Sequence, residues 1–131
     1  MGDAGALFLG LLIATLTVRF KPSADNSLSS FAIPVLLLAI PILDTTVAVL
    51  SRFRRKVSPF QGGKDHLSHR LVRNGLSRKV AAITLWLLSA LYGLFAILIS
   101  TQNINSELLI LLVASVIWIL LLALFLNTND E

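Results

Sequence analysis

Residues 108–126 read LLILLVASVIWILLLALFL, an uncharged run of about the 20 apolar residues that a helix needs to cross a hydrocarbon core. Three further stretches, 4–20, 31–50 and 80–100, are apolar over nearly the same length. Composition agrees, because 56% of the 131 residues are hydrophobic, above the roughly 45–50% of a soluble domain. The mean hydropathy is +0.84. The expected fold is therefore all-α: a polytopic membrane protein with about four transmembrane helices and one basic loop over 51–79. The first stretch is a poor secretory leader, since Asp3 stands where a basic cluster belongs and three more spans follow. The absence of cysteine excludes disulfides and thiolate metal sites.

Charge fixes the expected orientation. Nine of the eleven basic residues lie in the loop: Arg52, Arg54, Arg55, Lys56, Lys64, Arg70, Arg73, Arg78 and Lys79. Cytoplasmic loops retain Lys and Arg, so this loop is expected in the cytoplasm, with the N-terminus and residues 127–131 on the same side. Arg19 and Lys21 then fall outside, where long side chains can snorkel to headgroups. Pro34 and Pro41 each remove a backbone donor, which predicts a kinked or interrupted second span.

Against this apolar background the polar residues stand out. Asp44, in PILDTTVAVL, is an acid within a span and on that ground a functional candidate, although near the inner end it can also rest in the interface or pair with an arginine. The loop contains SPFQGGKDHLSHRL (58–71), a turn-rich segment followed by Asp65, His66 and His69. A short helix over 65–73 would put His66 and His69 on one face and make Asp65 and His69 an i, i+4 pair. That arrangement suits a phosphate or a metal. Zinc asks for three or four ligands in spacings not found here. Phosphate needs only cations and donors, which Arg52, Arg55, Lys64, His66, His69 and Arg70 supply. Nucleic acid is not an expected partner, since the loop's aromatics are only Phe53 and Phe60 and no recognition module is present. The plainest alternative is a loop that obeys the positive-inside rule and binds anionic headgroups. Asp3 is a lone carboxylate beside the membrane that could hold Mg²⁺ shared with phosphates.

Three motifs occur in order: MGDAGALFLG (1–10), PILDT (41–45) and RFRRKVSPFQGGKDHLSHRL (52–71). Together with the intervening spans they resemble the polyprenyl-phosphate sugar-1-phosphate transferases, and the resemblance covers essentially the whole chain. It implies that Asp3 is a ligand of Mg²⁺, or alternatively Mn²⁺, and that His66 and His69 meet the diphosphate of a nucleotide sugar. It also implies that Arg52 or Arg55 binds substrate, to which the loop's charge adds Arg70 as a candidate, and that Asp44 and Thr45 carry the family's Asp-Thr pair. Ser68 stands where many members have a histidine; its hydroxyl can still donate a hydrogen bond. Full-length members have many more spans, and their earlier acidic motifs have no counterpart here. The resemblance is thus to the C-terminal part of such an enzyme, and the isolated chain is expected to show no turnover.

The implied reaction joins a polyprenyl phosphate in the membrane to the sugar-1-phosphate of a UDP-sugar and releases UMP, the first step of cell-envelope polysaccharide synthesis. A homodimer is the assembly considered for the full-length form. The competing expectation is a non-catalytic four-span protein whose basic loop binds anionic lipid or a partner.

Overall fold

The computed structural model describes residues 3–19, 27–58, 65–101 and 104–127. They form six helices: α1 (Asp3–Arg19), α2 (Ser27–Leu37), α3 (Ala39–Arg54), α4 (Leu67–Arg73), α5 (Arg78–Thr101) and α6 (Ile104–Asn127). There is no strand among the described residues, as the apolar runs predict.

The helices α5 and α6, 24 residues each, reach about 36 Å at 1.5 Å per residue and can cross a core of roughly 30 Å. The expected second span is broken. Helices α2 and α3 meet at Leu38 with a bend of 65°. Pro41 explains the position, because its ring nitrogen cannot donate to the carbonyl of Leu37 and its ring crowds that carbonyl. The ladder resumes at once, with Ile42 N donating to Leu38 O at 2.9 Å. Among the described residues two helices are thus long and apolar enough to cross a membrane, or three if the bent pair counts as one. The expected first span is helical over 17 residues in α1, about 25 Å, at the short end of the spanning range.

Helices α2, α3, α5 and α6 pack through one cluster that includes Ile33, Leu36, Leu43, Val47, Tyr92 and Ile99. Positions 92, 96 and 99 repeat at i, i+4 and i+7, so one stripe of α5 faces inward. The opposite stripe is exposed, with Leu87, Leu94 and Ile97 facing outward, the inversion expected where lipid replaces water. Lipid supplies no hydrophobic drive for helix association, so close packing and interhelical hydrogen bonds decide it. The Tyr92 hydroxyl donates to Ala114 O and the Trp118 Nε1–H to Ala39 O, both at 3.0 Å. Such bonds contribute about 0.6 kcal/mol each, enough to set register rather than to hold the bundle. Glu107, in the first turn of α6, is fully buried, and its carboxylate has no hydrogen-bond partner among the described residues.

Two helix ends frame the loop in the same way. After α3, Lys56 N donates to Phe53 O and Val57 N to Arg52 O; after α4, Gly75 N donates to Val72 O and Leu76 N to Leu71 O. Both are Schellman turns, with the left-handed residue being Lys56 (φ 57°) in one and Gly75 (φ 92°) in the other.

Candidate functional site

The polar residues gather where α3 ends and α4 begins. Arg52 and Arg55, three residues apart on the last turn of α3, both reach Asp65. Arg52 Nε donates to Asp65 Oδ2 at 2.8 Å and Arg55 Nη2 to Asp65 Oδ1 at 2.5 Å. Burial by itself would raise the Asp65 carboxyl pKa, but the hydrogen bonds and positive charges of Arg52 and Arg55 outweigh it and hold the value below the ordinary one. The Arg55 side chain is 38% exposed, and its guanidinium has further donors to offer.

Two turns earlier on α3, Asp44 receives two donors from the start of α4. The Leu67 N–H donates to Asp44 Oδ1 at 2.6 Å, and His66 Nδ1 lies 2.8 Å from Asp44 Oδ2. An ionised carboxylate only accepts, so the imidazole proton is on Nδ1 and Nε2 is left to accept or donate toward a ligand. Half of the His66 side chain is exposed. This corrects the expected local geometry. Asp65 precedes the helix and pairs with α3 instead of forming an i, i+4 contact with His69, and His66 is the N-cap residue. The Thr45 hydroxyl donates to the carbonyls of Pro41 and Ile42, so it is spent within its own helix.

This site can hold an anion and move a proton. No protein-family model matches the chain, and no solved structure matches it. Curated relatives do. The chain is 33% identical over 115 residues to a probable undecaprenyl-phosphate N-acetylglucosaminyl 1-phosphate transferase of Bacillus subtilis, covering 86% of this chain and 31% of the relative. It is 34% identical over 97 residues to a decaprenyl-phosphate N-acetylglucosaminephosphotransferase of Mycolicibacterium smegmatis, covering 66% of this chain and 24% of that relative. An undecaprenyl-phosphate alpha-N-acetylglucosaminyl 1-phosphate transferase of Escherichia coli is 25% identical over 107 residues, 82% of this chain and 29% of the relative. The chain is thus similar to part of each of these polyprenyl-phosphate sugar-1-phosphate transferases. It spans between about a quarter and a third of the length of these relatives.

Within this segment the expected site residues divide. Asp44, His66, Arg52 and Arg55 come together with Asp65 between α3 and α4. Arg70 does not face a ligand, being 1% exposed. Its Nε donates to Asp65 O at 3.1 Å and its Nη1 to Phe125 O at 2.8 Å, while Arg54 Nη1 reaches Leu126 O at 3.2 Å. The last carbonyls of a helix lack intrahelical partners and carry partial negative charge, so two arginines cap α6 and tie it to the loop. Ser68 and His69 are exposed and line a groove toward α5. Asp3 opens α1, and its side chain lies outside what the structure describes, as does Lys64.

No group of three or more His, Cys, Asp or Glu side chains that could hold a metal occurs among the described residues. Asp44 and Asp65 already have partners on both oxygens. The described residues by themselves do not form a divalent-ion site. Periodicity did not single out Asp65 as the anchor of the two arginines, or Arg70 as a structural cap; the excess of charge within the turn was the only signal for either.

Proposed function

We propose that this segment forms part of the active site of a membrane enzyme that transfers N-acetylglucosamine-1-phosphate from a UDP-sugar to a polyprenyl phosphate and releases UMP. The observation that carries the reading is the Asp44–His66 pair beside the Arg52–Asp65–Arg55 clamp, in a chain whose relatives are named as transferases of N-acetylglucosamine phosphate to a polyprenyl phosphate. In the reaction a phosphate oxygen of the lipid attacks the sugar-bearing β-phosphorus, the bond between the two phosphoryl groups breaks, and UMP leaves with its electron pair. Both reactants are anions. Preorganised cationic donors aimed at the phosphoryl oxygens lower the barrier without reorganisation cost.

Arg55 supplies such a donor while Asp65 holds it in place. His66, fixed by Asp44 on Nδ1, presents Nε2 to a phosphate oxygen as a donor when protonated and an acceptor when neutral. Ser68 and His69, within one turn of His66, add a hydroxyl and a second imidazole. Mg²⁺ enters the proposal only through Asp3, as one carboxylate of an ion that would otherwise be held by waters and substrate phosphates and would neutralise their charge. The loop and the C-terminal end of α6 share one side of the bundle, since Arg54 and Arg70 join them. The concentration of cations supports a cytoplasmic position for that side, where a soluble UDP-sugar would meet a lipid-anchored acceptor.

A chimera tests the reading. The matching segment of the Bacillus subtilis relative is replaced by this chain, and formation of the lipid-linked sugar from UDP-N-acetylglucosamine is followed together with UMP. Turnover that stops on chelation of divalent ions is expected. A chimera that inserts into the membrane and binds UDP-N-acetylglucosamine without ever forming product would contradict it.

A further inference from the structure

Two arginines reach the last carbonyls of α6, and they do so from different depths. Arg54 is exposed where it meets Leu126 O, whereas Arg70 is buried where it meets Phe125 O. A helix end at the membrane surface is satisfied by water or by an exposed cation, as Arg54 shows. Taking a second guanidinium out of water costs more than one more cap returns. Capping alone therefore leaves the burial of Arg70 without a reason. Its other contact supplies one. Arg70 Nε donates to Asp65 O at 3.1 Å. That carbonyl lies outside the ladder of α4, which begins at His66 O, the acceptor for Arg70 N. The Asp65 peptide is thus held by a side chain rather than by the helix. The Asp65 carboxylate in turn receives Arg52 and Arg55. A continuous series of hydrogen bonds runs from the end of α6 through Arg70 and Asp65 to Arg55.

We propose that Arg70 is a positioning residue for the reaction described above: it fixes the Asp65 backbone against the end of α6 and so sets the direction in which Asp65 aims the Arg55 guanidinium at a substrate phosphate. The inference rests on the transferase reading. The donors of a guanidinium lie in one rigid plane, so two acceptors on neighbouring edges fix the plane itself. Phe125, 2% exposed, gives the series a packed end. Arg55 needs the support, because its side chain is long, partly exposed and held among the described residues only by Asp65 and, at 3.5 Å, by Ser51 O. His66 is supported separately. It and the Leu67 N–H meet Asp44 on α3, and neither bond passes through the Arg70 side chain. A change at Arg70 therefore acts on the arginine arm of the site and spares the histidine arm. Misplacing a group by about 1 Å at a reacting centre can lower a rate by about 100-fold.

Double-mutant kinetics in the chimera test it, with rates expressed per folded, membrane-inserted protein. Arg70→Lys keeps the charge but cannot span both carbonyls, and should lower kcat at least about tenfold while KM for UDP-N-acetylglucosamine changes less than about threefold. In an Arg55→Gln background the same substitution should change kcat by less than about twofold, because the arm it aligns is already gone. In a His66→Ala background it should keep its full factor. Leu126→Pro pushes Phe125 out of helical geometry and turns its carbonyl away while Arg70 and Asp65 stay as they are. It should give the same pattern, and it decides the matter if Arg70→Lys fails to insert. An equal loss in all backgrounds is that of a purely structural cap and overturns the proposal, as does a rate unchanged in both variants. A parent chimera that binds UDP-N-acetylglucosamine and never forms product sinks the transferase reading instead, and this inference with it.

Discussion

The two flanks of α4 are built on opposite plans. Toward α3, each carboxylate oxygen of Asp44 and Asp65 is matched by a donor from the other element. Toward α5, Ser68, His69 and Arg78 have no polar partner among the described residues. The difference teaches that a high density of charge does not by itself mark a ligand site. On the first flank the charges mainly hold one another, and His66 and Arg55 keep the most surface for something else. On the second flank the donors are fewer but uncommitted.

The largest effect is expected where the matched flank is broken. Asp65→Ala leaves two guanidinium groups facing each other without their carboxylate, and should cost about 3 kcal/mol, the lower end for breaking a largely buried pair. Unfolding in mixed micelles measures it, and a loss under about 1 kcal/mol would mean that the clamp is no stronger than an exposed surface pair. The same clamp sets a pH dependence. The folded pKa of Asp65 is lowered, so its stabilisation is present above the unfolded value near 3.9 and disappears as pH falls through the folded value. The stability difference between wild type and Asp65→Asn should therefore be flat above about pH 5 and shrink below about pH 4.

Next in size is Arg70→Lys. One ammonium cannot reproduce the fork that reaches Asp65 O and Phe125 O together, and the loss should be about 2 kcal/mol, with faster hydrogen exchange at the end of α6. The smallest effects belong to the turns that bound the loop. Gly75→Ala should destabilise by about 1 kcal/mol, because φ is positive there. Lys56→Gly should stabilise by up to about 1 kcal/mol for the same reason, with the sign reversed. Thermal unfolding of the pair of variants checks both signs.

Much of this architecture is legible in the sequence, and the rest has a physical reason for being hidden. The apolar runs announce α5 and α6 because lipid contact demands apolar residues on every outward face, and Pro41 announces the break because a missing donor acts locally. Helix α4 was expected one turn or less from where it lies. Its partners were not. Asp65 is ten and thirteen residues from the arginines it binds, and Asp44 is more than twenty from His66, so pairing is set by how α4 folds back on α3. Helical periodicity is blind to contacts at that separation. The burial of Arg70 is hidden similarly, since its partner is a backbone carbonyl on α6, and a carbonyl leaves no trace in side-chain identity. The motif resemblance supplied what periodicity could not, bringing Asp44, His66 and the two arginines into one site before any geometry.

The most direct measurement is the rate of lipid-linked sugar formation by the chimera when the Asp44–His66 pair is taken apart. His66→Ala should lower the rate by at least about 100-fold, as loss of a positioned proton-transfer or donor group does, and Asp44→Asn should lower it less, by loosening the hold on the imidazole rather than by abolishing substrate binding. If both variants turn over within about twofold of the parent across the pH range, far below the loss expected of a catalytic group, the pair is a structural fastening for α4 and the active-site account is wrong.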